Sequence, residues 1–312
     1  MDIDTLIDGI KNGDRSAVSR GISLVETTSV NGTVRRIISS IYRNTGGAHI
    51  IGITGPPGIG KSTIIGRLSG MLHDSGVSVS VIAIDASSPF SGGSFLGNRI
   101  RMQESLTRHG IFMRSLANRG LKGGLSRSIW DTVKILDASG SDIIIVETVG
   151  AGQADLDVVN LAETVLMVLG PGLGDEIQAI KAGIMEIGSL FVINKMDLPG
   201  AFIAQKDIEE TLAMSPRGEW KPPVVGVNSL TREGYEDLIK EIDRHGKFVK
   251  KSSDLSFRKF RTELEITIDE ELRSRFHQEI MGFLTDSEKI RSLMEKRTDP
   301  YSAAESLINS IA

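Results

Sequence analysis

Cysteine is absent from the 312 residues of this chain, which excludes disulfides, thiolate zinc sites and a cysteine nucleophile. Neither sign of charge predominates, since 36 lysines and arginines stand against 40 aspartates and glutamates, for a net charge of −4. No broad basic field therefore points to a nucleic acid or an anionic membrane as partner. Apolar runs are strand-sized, too short to cross a bilayer, and the acidic start Met1–Asp4 lacks the apolar stretch of a secretory signal. We expect a cytoplasmic protein without membrane or nucleic-acid partners.

The composition is that of an ordinary soluble protein, with 40% hydrophobic and 24% charged residues. A chain of this length can hold one large α/β domain with helical additions, or two domains. Apolar residues recur with helical spacing over residues 1–45 and 251–312, whereas strands and helices alternate between residues 46 and 250. We therefore predict an N-terminal helical extension (1–45), a central domain (46–250) and a C-terminal helical segment (251–312).

The central segment contains six candidate strands. Several are continuously apolar, as in Ile143–Val146, which is typical of a sheet covered by helices on both faces. Together with the helices between them, they predict an α/β fold, a doubly wound and mostly parallel sheet that binds ligands at the carboxyl ends of its strands. The candidate strands are 49–54, 78–84, 142–148, 164–169, 189–193 and 223–227.

The C-terminal segment has an apolar stripe of residues spaced four apart. It is too short to form a domain with a large core of its own, so we expect its helices to pack on the central domain or on a second subunit. The stripe comprises Leu264, Ile268, Leu272 and Phe276.

A complete phosphate-binding loop follows the first candidate strand and precedes a helical pattern. Its glycines let backbone N–H groups turn inward around a phosphate, and the helix directs its positive end at the same place. Lys61 would reach the β- and γ-phosphates, and the Ser62 hydroxyl would be a ligand of Mg²⁺. We therefore predict a nucleoside triphosphate-binding protein. The loop comprises Gly55, Pro56, Pro57, Gly58, Ile59, Gly60, Lys61, Ser62 and Thr63.

Two acidic residues lie at the ends of candidate strands. Glu147 would hold Mg²⁺ directly or through water, and the N–H of the nearby Gly150 would meet the γ-phosphate. Asp85 would orient a metal-bound water. The Gly- and Ser-rich stretch 87–93 after it suits a loop that senses the γ-phosphate, with an ordinary surface loop as the alternative.

The stretch Asn194–Asp197 has the Asn-Lys-x-Asp pattern that is typical of guanine recognition. The carboxylate of Asp197 can accept hydrogen bonds from N1–H and from the exocyclic amine, an arrangement that adenine cannot supply. GTP is therefore favoured over ATP as the nucleotide, with Lys195 part of the same motif. A second loop, placed to touch the guanine from the other side, contains Asn228, Ser229 and Leu230.

With these elements in order, the chain resembles the MeaB/ArgK/MMAA family of P-loop GTPases over nearly its whole length. The resemblance extends to the sequences around each motif, which are more specific than the phosphate loop alone. The matching stretches are Gly13–Ala17, the phosphate loop, Ala83–Asp85, Ser87–Gly93, Arg119–Gly120, Gly123–Gly124, Glu147–Gly150, Gly152–Gln153, Pro171–Gly172, Gly174–Glu176, Gln178, Ile180–Lys181 and Asn194–Lys195.

The resemblance implies a GTPase that serves an adenosylcobalamin-dependent acyl-CoA mutase, typically methylmalonyl-CoA mutase. Members of this family hydrolyse GTP slowly, gate delivery of the cofactor, and protect or reset the mutase. They are usually homodimers joined by C-terminal helices. The segment Pro171–Lys181 is similar to the family's additional switch, which couples nucleotide state to the mutase.

The chain departs from the family at several positions near the expected catalytic centre. Asn98 stands where the family has a second acid that can meet Mg²⁺, and its carbonyl oxygen should bind a hard cation less strongly. Ala86 replaces a proline after Asp85. The family's Gly-Gln-Ser-Glu is here Gly152–Asp155, in which Gln153 is a candidate for orienting the attacking water.

Three other functions are compatible with a GTP-binding α/β domain. A nickel metallochaperone would usually carry Cys and His ligands, whereas the five histidines here show no clustered metal-ligand spacing. A transport-linked kinase would need an acceptor site, for which no motif is evident. A nucleotide-binding module without turnover is a third alternative, because Asn98 lacks the family's charge.

Overall fold

The computed structural model describes residues 2–27, 32–86, 102–118, 126–148, 158–172, 187–214 and 219–311. One parallel sheet runs through this part of the chain. Its strands are β1 (His49–Thr54), β2 (Val79–Ala86), β3 (Phe112–Asn118), β4 (Ile143–Thr148), β5 (Thr164–Leu169), β6 (Leu190–Ile193) and β7 (Val224–Gly226).

The strands lie in the order β3-β2-β4-β1-β5-β6-β7, which confirms the predicted α/β fold. The chain adds β2, β3 and β4 on one side of β1 and then continues with β5 on the other side. The carboxyl end of β1 therefore lies at the reversal in strand order, where parallel α/β sheets bind ligands.

Strand β3 was missing from the six predicted strands. It lies at the edge of the sheet with β2 as its one paired neighbour, and Arg114 and Ser115 interrupt its apolar pattern. The Arg114 guanidinium bonds Glu26 at 2.7 Å and Ser23 at 3.0 Å, so the strand is fixed partly by tertiary contacts. Such contacts leave no periodicity in the sequence.

Helices cover both faces of the sheet. On one face, Ile50, Ile144 and Val146 pack against the N-terminal helices and the helix that precedes β4. On the other, Ile51 and Ile145 pack against the helix after the phosphate loop. The described helices include α1 (Ile3–Lys11), α2 (Arg15–Thr27), α3 (Gly32–Ile41), α4 (Lys61–Asp74), α5 (102–108), α6 (Arg127–Ala138), α7 (Ala201–Met214), α8 (Tyr235–Val249), α9 (Ser253–Arg275), α10 (His277–Thr285), α11 (Ser287–Met294) and α12 (Pro300–Ile311).

The N-terminal helices belong to the core of the central fold. Apolar residues of α1, α2 and α3 join one buried cluster with α6 and the sheet. The Asp137 carboxylate also accepts bonds from the N–H groups of Gly46 and Ala48, at 2.5 and 2.9 Å, which fixes the connection into β1.

The C-terminal stripe is more exposed than its spacing alone indicates. Leu264, Ile268 and Leu272 lie on α9 with 59%, 47% and 50% of their surfaces exposed, and Phe276 lies between α9 and α10. No helix within the described residues is both long enough and apolar enough to cross a membrane.

Two histidines at the amino-terminal edge of the sheet, the buried His245 and the partly buried His49, are joined through a threonine. The Thr164 hydroxyl lies 2.6 Å from His49 Nε2 and 2.7 Å from His245 Nδ1, and Trp220 packs edge-on against His245. Burial lowers the pKa of His245 from 6.5 to about 4, helped by the charges of His49 and Arg244, and burial also lowers the pKa of His49.

The His245 pKa predicts a loss of stability in mild acid. Between pH 6.5 and 4 the unfolded chain binds a proton that the folded chain does not, so stability falls as pH falls through this range. The contribution of His245 is about 2 kcal/mol between pH 7.5 and pH 5. Chemical denaturation at the two pH values measures it. His245→Asn keeps a hydrogen-bonding group but does not titrate, and should flatten this dependence; an unchanged profile would contradict the assignment.

Candidate nucleotide-binding site

The loop between β1 and α4 has the backbone geometry of a phosphate cradle. Gly55, Gly58 and Gly60 have positive φ angles of 143°, 74° and 103°, which L-residues with a side chain rarely adopt. A Cβ at Gly60 would collide with the Asn194 side chain, and one at Gly55 with the Val168 carbonyl. The glycines therefore permit both the turn and its close contact with the neighbouring strand ends.

Lys61 begins α4 with its side chain folded back over the loop. Its Nζ donates to the carbonyls of Gly55 at 2.7 Å and Pro56 at 3.1 Å, and only 7% of the residue is exposed. The ammonium thus lies at the mouth of the loop and at the N-terminus of α4, where an anionic phosphate is favoured.

Ser62 and Glu147 form the part of the site suited to a metal ion. The Ser62 hydroxyl donates to Glu147 Oε1 at 2.7 Å, so the two side chains meet although they are 85 residues apart. Hydroxyl and carboxylate oxygens are ligands that Mg²⁺ accepts, together with waters and substrate phosphates. The described residues contain no cluster of three His, Asp or Glu side chains that could hold a metal without a substrate. This donor set fits Mg²⁺ bound together with a nucleotide.

Other predicted site residues are described only in part. Asp85 lies at the end of β2, where its register partner on β3 is Ala117, but its side chain is outside the described part of the structure. Asn98, Gly150 and Gln153 lie outside the described residues, and their proposed roles stay predictions.

The guanine-reading motif lies directly against the phosphate loop. Asn194 is 2% exposed, and its Nδ2 donates to the Ile59 carbonyl at 2.8 Å. Lys195 has a φ of 62° and its Nζ lies 3.2 Å from the Gly58 carbonyl. Asp197, two residues further along the chain, is exposed.

The second predicted base loop, which contains Asn228, Ser229 and Leu230, is fixed by hydrogen bonds within residues 228–231. The Asn228 side chain accepts bonds from the N–H groups of Leu230 at 2.9 Å and Thr231 at 3.4 Å. The Ser229 hydroxyl donates to Asn194 Oδ1 at 2.8 Å. Asn228 and Ser229 are buried, whereas Leu230 is 74% exposed, so the first two side chains shape the loop and leave Leu230 facing outward.

Two residues that the sequence analysis did not identify hold this loop from outside. Arg67 of α4 donates to the carbonyls of Ser229 at 3.0 Å and Leu230 at 3.4 Å. The hydroxyl of Tyr235, the first residue of α8, lies 2.9 Å from Ser229 Oγ. Neither belongs to a recognisable motif, because their partners are known only once the chain has folded.

An open cleft of about 720 Å³ borders the phosphate loop, the first turns of α4, Glu147 and Lys195. It has mixed charge, with lysine and arginine side chains near the loop and Glu147 facing them, which suits a triphosphate bound together with a cation. Lining residues include Pro57, Gly58, Gly60, Lys61, Ser62, Thr63, Arg67, Glu147, Lys195 and Arg232.

Similarity to known proteins agrees with this geometry. A Pyrococcus horikoshii protein with a provisional GTPase name is 45% identical over 99% of this chain and 98% of its own length. GTPase ArgK of Escherichia coli is 33% identical over 73% of this chain and 71% of its own. The mouse methylmalonic aciduria type A homolog is 33% identical over 76% of this chain and 61% of its own.

The crystal structure of an LAO/AO transport system kinase superimposes with a TM-score of 0.70 at 23% identity, over 99% of this chain and 97% of that one, and shares the fold. Residues 18–281 match the family described as methylmalonyl-CoA mutase-associated GTPase MeaB. The chain therefore belongs to the MeaB family of P-loop GTPases, with relatives in ArgK and the methylmalonic aciduria type A proteins.

Proposed function

We propose that the chain binds GTP with Mg²⁺ in this cleft and hydrolyses it to GDP and phosphate. The observation that carries the proposal is the bond from Asn194 to the Ile59 carbonyl, which joins the guanine motif to the phosphate loop as one site. Phosphate release with GTP and with ATP tests it. Release from GTP alone supports the proposal, whereas equal release from both would contradict the role of the guanine motif.

Hydrolysis would proceed by in-line attack of water on the γ-phosphorus. The bond to the β–γ bridging oxygen breaks, and GDP leaves with its electron pair. Lys61 and the loop N–H groups would stabilise charge on the phosphate oxygens. Ser62, Asp85, Glu147 and Asn98 would hold Mg²⁺, which neutralises charge on the β- and γ-phosphates. Gln153 would orient the water.

We further propose that the GTPase serves an adenosylcobalamin-dependent acyl-CoA mutase, most simply methylmalonyl-CoA mutase. The family description supports this partner. The segment 171–181, of which residues 173–181 lie outside the described part of the structure, would transmit nucleotide state, because Gly170 directly before it lies between the two halves of the site. A Cβ at Gly170 would lie 2.7 Å from Ile59 Cδ1 and 3.2 Å from the Asn194 carbonyl.

The domain boundaries 45/46 and 250/251 and a cytoplasmic location stay predictions.

Helix α9 supports the proposal of a homodimer because its charged side packs against the rest of the same subunit, which leaves its apolar side for a second copy. Lys259 bonds Glu163 at 3.0 Å, and Glu263 bonds Lys134 at 2.5 Å. Glu270 accepts from the backbone N–H of Arg127 at 3.0 Å and pairs with its guanidinium. The opposite side is apolar and exposed, with Phe257, Phe260, Leu264, Ile268 and Leu272 between 47% and 68% exposed.

The apolar side of α9 predicts self-association through this helix. Replacing both Leu264 and Ile268 by glutamate should convert the protein from dimer to monomer without unfolding it, because both side chains are exposed in one copy. Light scattering after size exclusion measures the mass. Ile203→Glu, at a 68% exposed position on α7, is the matched control and should stay dimeric. A monomeric parent protein, or a dimer that survives the double change, would contradict the proposal.

A further inference from the structure

The loop that would flank the guanine is connected to the phosphate loop by a directed series of hydrogen bonds. Asn194 donates from Nδ2 to the Ile59 carbonyl, so its Oδ1 faces Ser229 as an acceptor. The Ser229 hydroxyl has one hydrogen, which goes to that Oδ1 at 2.8 Å. Its lone pairs must therefore accept from the Tyr235 hydroxyl, 2.9 Å away.

Tyr235 is the first donor of this series and is completely buried. Its exposed fraction is 0%, so its hydroxyl depends on a protein partner, and Ser229 provides it. Burial raises the pKa of Tyr235, outweighing the hydrogen bond with Ser229 and the charge of Arg67, so the hydroxyl stays protonated and able to donate at neutral pH.

Arg67 fixes the same loop from the opposite helix. Its Nε and one terminal nitrogen reach two successive carbonyls, those of Ser229 and Leu230, at 3.0 and 3.4 Å. Because Arg67 lies on α4, which begins at Lys61, the loop is tied to the helix whose N-terminus faces the phosphates.

We propose that Tyr235 and Arg67 are positioning residues for guanine recognition, which hold residues 228–231 at a fixed distance from the phosphate loop. This inference rests on the proposed function, since it assumes that GTP occupies the cleft. Neither side chain needs to touch the nucleotide. As positioning residues, both act on the part of the binding energy that comes from the base.

The test measures the affinity of the protein for two ligands, GTP and inorganic tripolyphosphate. The same affinities are measured for the variants Tyr235→Phe, Ser229→Ala, their double variant and Arg67→Gln. Loss of one such hydrogen bond corresponds to about three- to tenfold weaker binding. We expect this loss for GTP in every variant, and an unchanged affinity for tripolyphosphate in Tyr235→Phe, Ser229→Ala and their double variant. Because Arg67 also lines the cleft, Arg67→Gln should weaken GTP binding more than tripolyphosphate binding. Since Tyr235 acts through Ser229, the double variant should be no weaker than Ser229→Ala alone.

Matched controls are available on the surface. Tyr301→Phe, at an 88% exposed position, and Arg36→Gln, in an exposed pair with Asp4, should change neither affinity. If Tyr235→Phe does not fold, Ser229→Ala tests the same link. Equal losses for both ligands, additive losses in the double variant, or unchanged GTP affinity would overturn the inference. A parent protein that binds ATP as well as GTP would instead overturn the proposed function on which it rests.

Discussion

Lys61→Ala lowers GTP hydrolysis by at least about 100-fold, the scale of loss when one group that stabilises transition-state charge is removed. The reason is the placement of its ammonium within hydrogen-bonding distance of the Gly55 and Pro56 carbonyls at the mouth of the loop. No other described side chain has a cation within that distance of these two carbonyls. Phosphate release under saturating GTP measures the effect.

The control for Lys61 separates loss of the site from loss of the fold. Lys206→Ala removes a lysine whose side chain is 75% exposed on α7 and should retain full activity. The thermal unfolding temperature of Lys61→Ala should be measured in parallel, because its removal leaves two carbonyls without this donor. A well-folded Lys61→Ala that hydrolyses GTP within threefold of the parent protein would contradict the assigned site.

Asp197→Asn weakens GTP binding by about 100-fold or more and shifts preference to xanthosine triphosphate. A site that hydrogen-bonds donors on the base discriminates strongly when those groups no longer match. The Asn amide can donate to the carbonyl that xanthine has in place of the guanine amine. Because Asp197 is exposed, the change should leave the fold intact.

Competition binding with GTP, xanthosine triphosphate and ATP measures this change of preference. Asp207→Asn, at an exposed position on α7, makes the same chemical change away from the cleft and should have no effect. If Asp197→Asn bound GTP as the parent protein does, Asp197 would not read the base, and the interpretation of the motif Asn194–Asp197 would be wrong.

The sequence predicted those parts of the molecule whose structure is determined by residues close together in the chain. Strands β1 and β5 were predicted at their observed bounds, because continuous apolar runs between helices are typical of buried parallel strands. The phosphate loop could be predicted because its glycines and Lys61 must lie at fixed spacing. A helical extension was expected over residues 1–45, and the apolar faces of α1, α2 and α3 are buried against the sheet and α6.

The parts that could not be predicted depend on contacts distant in sequence. Edge strand β3 has a weak apolar pattern and is fixed by bonds from Arg114 to α2. Arg67 and Tyr235 have no motif, because their role depends on the loop at Ser229. The charged side of α9 gave no signal either: Glu263 and Glu270 have the composition of an ordinary solvated face, yet they pair with Lys134 and Arg127 of α6.

The proposed service to a cobalamin-dependent mutase can be tested by one comparison of GTP hydrolysis rates. GTP hydrolysis by the purified protein should be measured alone and with methylmalonyl-CoA mutase from the same organism, with Lys61→Ala in parallel. We predict slow hydrolysis by the protein alone, stimulation by the mutase, and loss of that stimulation in Lys61→Ala. GTP binding without stimulation by the mutase would contradict the proposal that the protein serves this mutase.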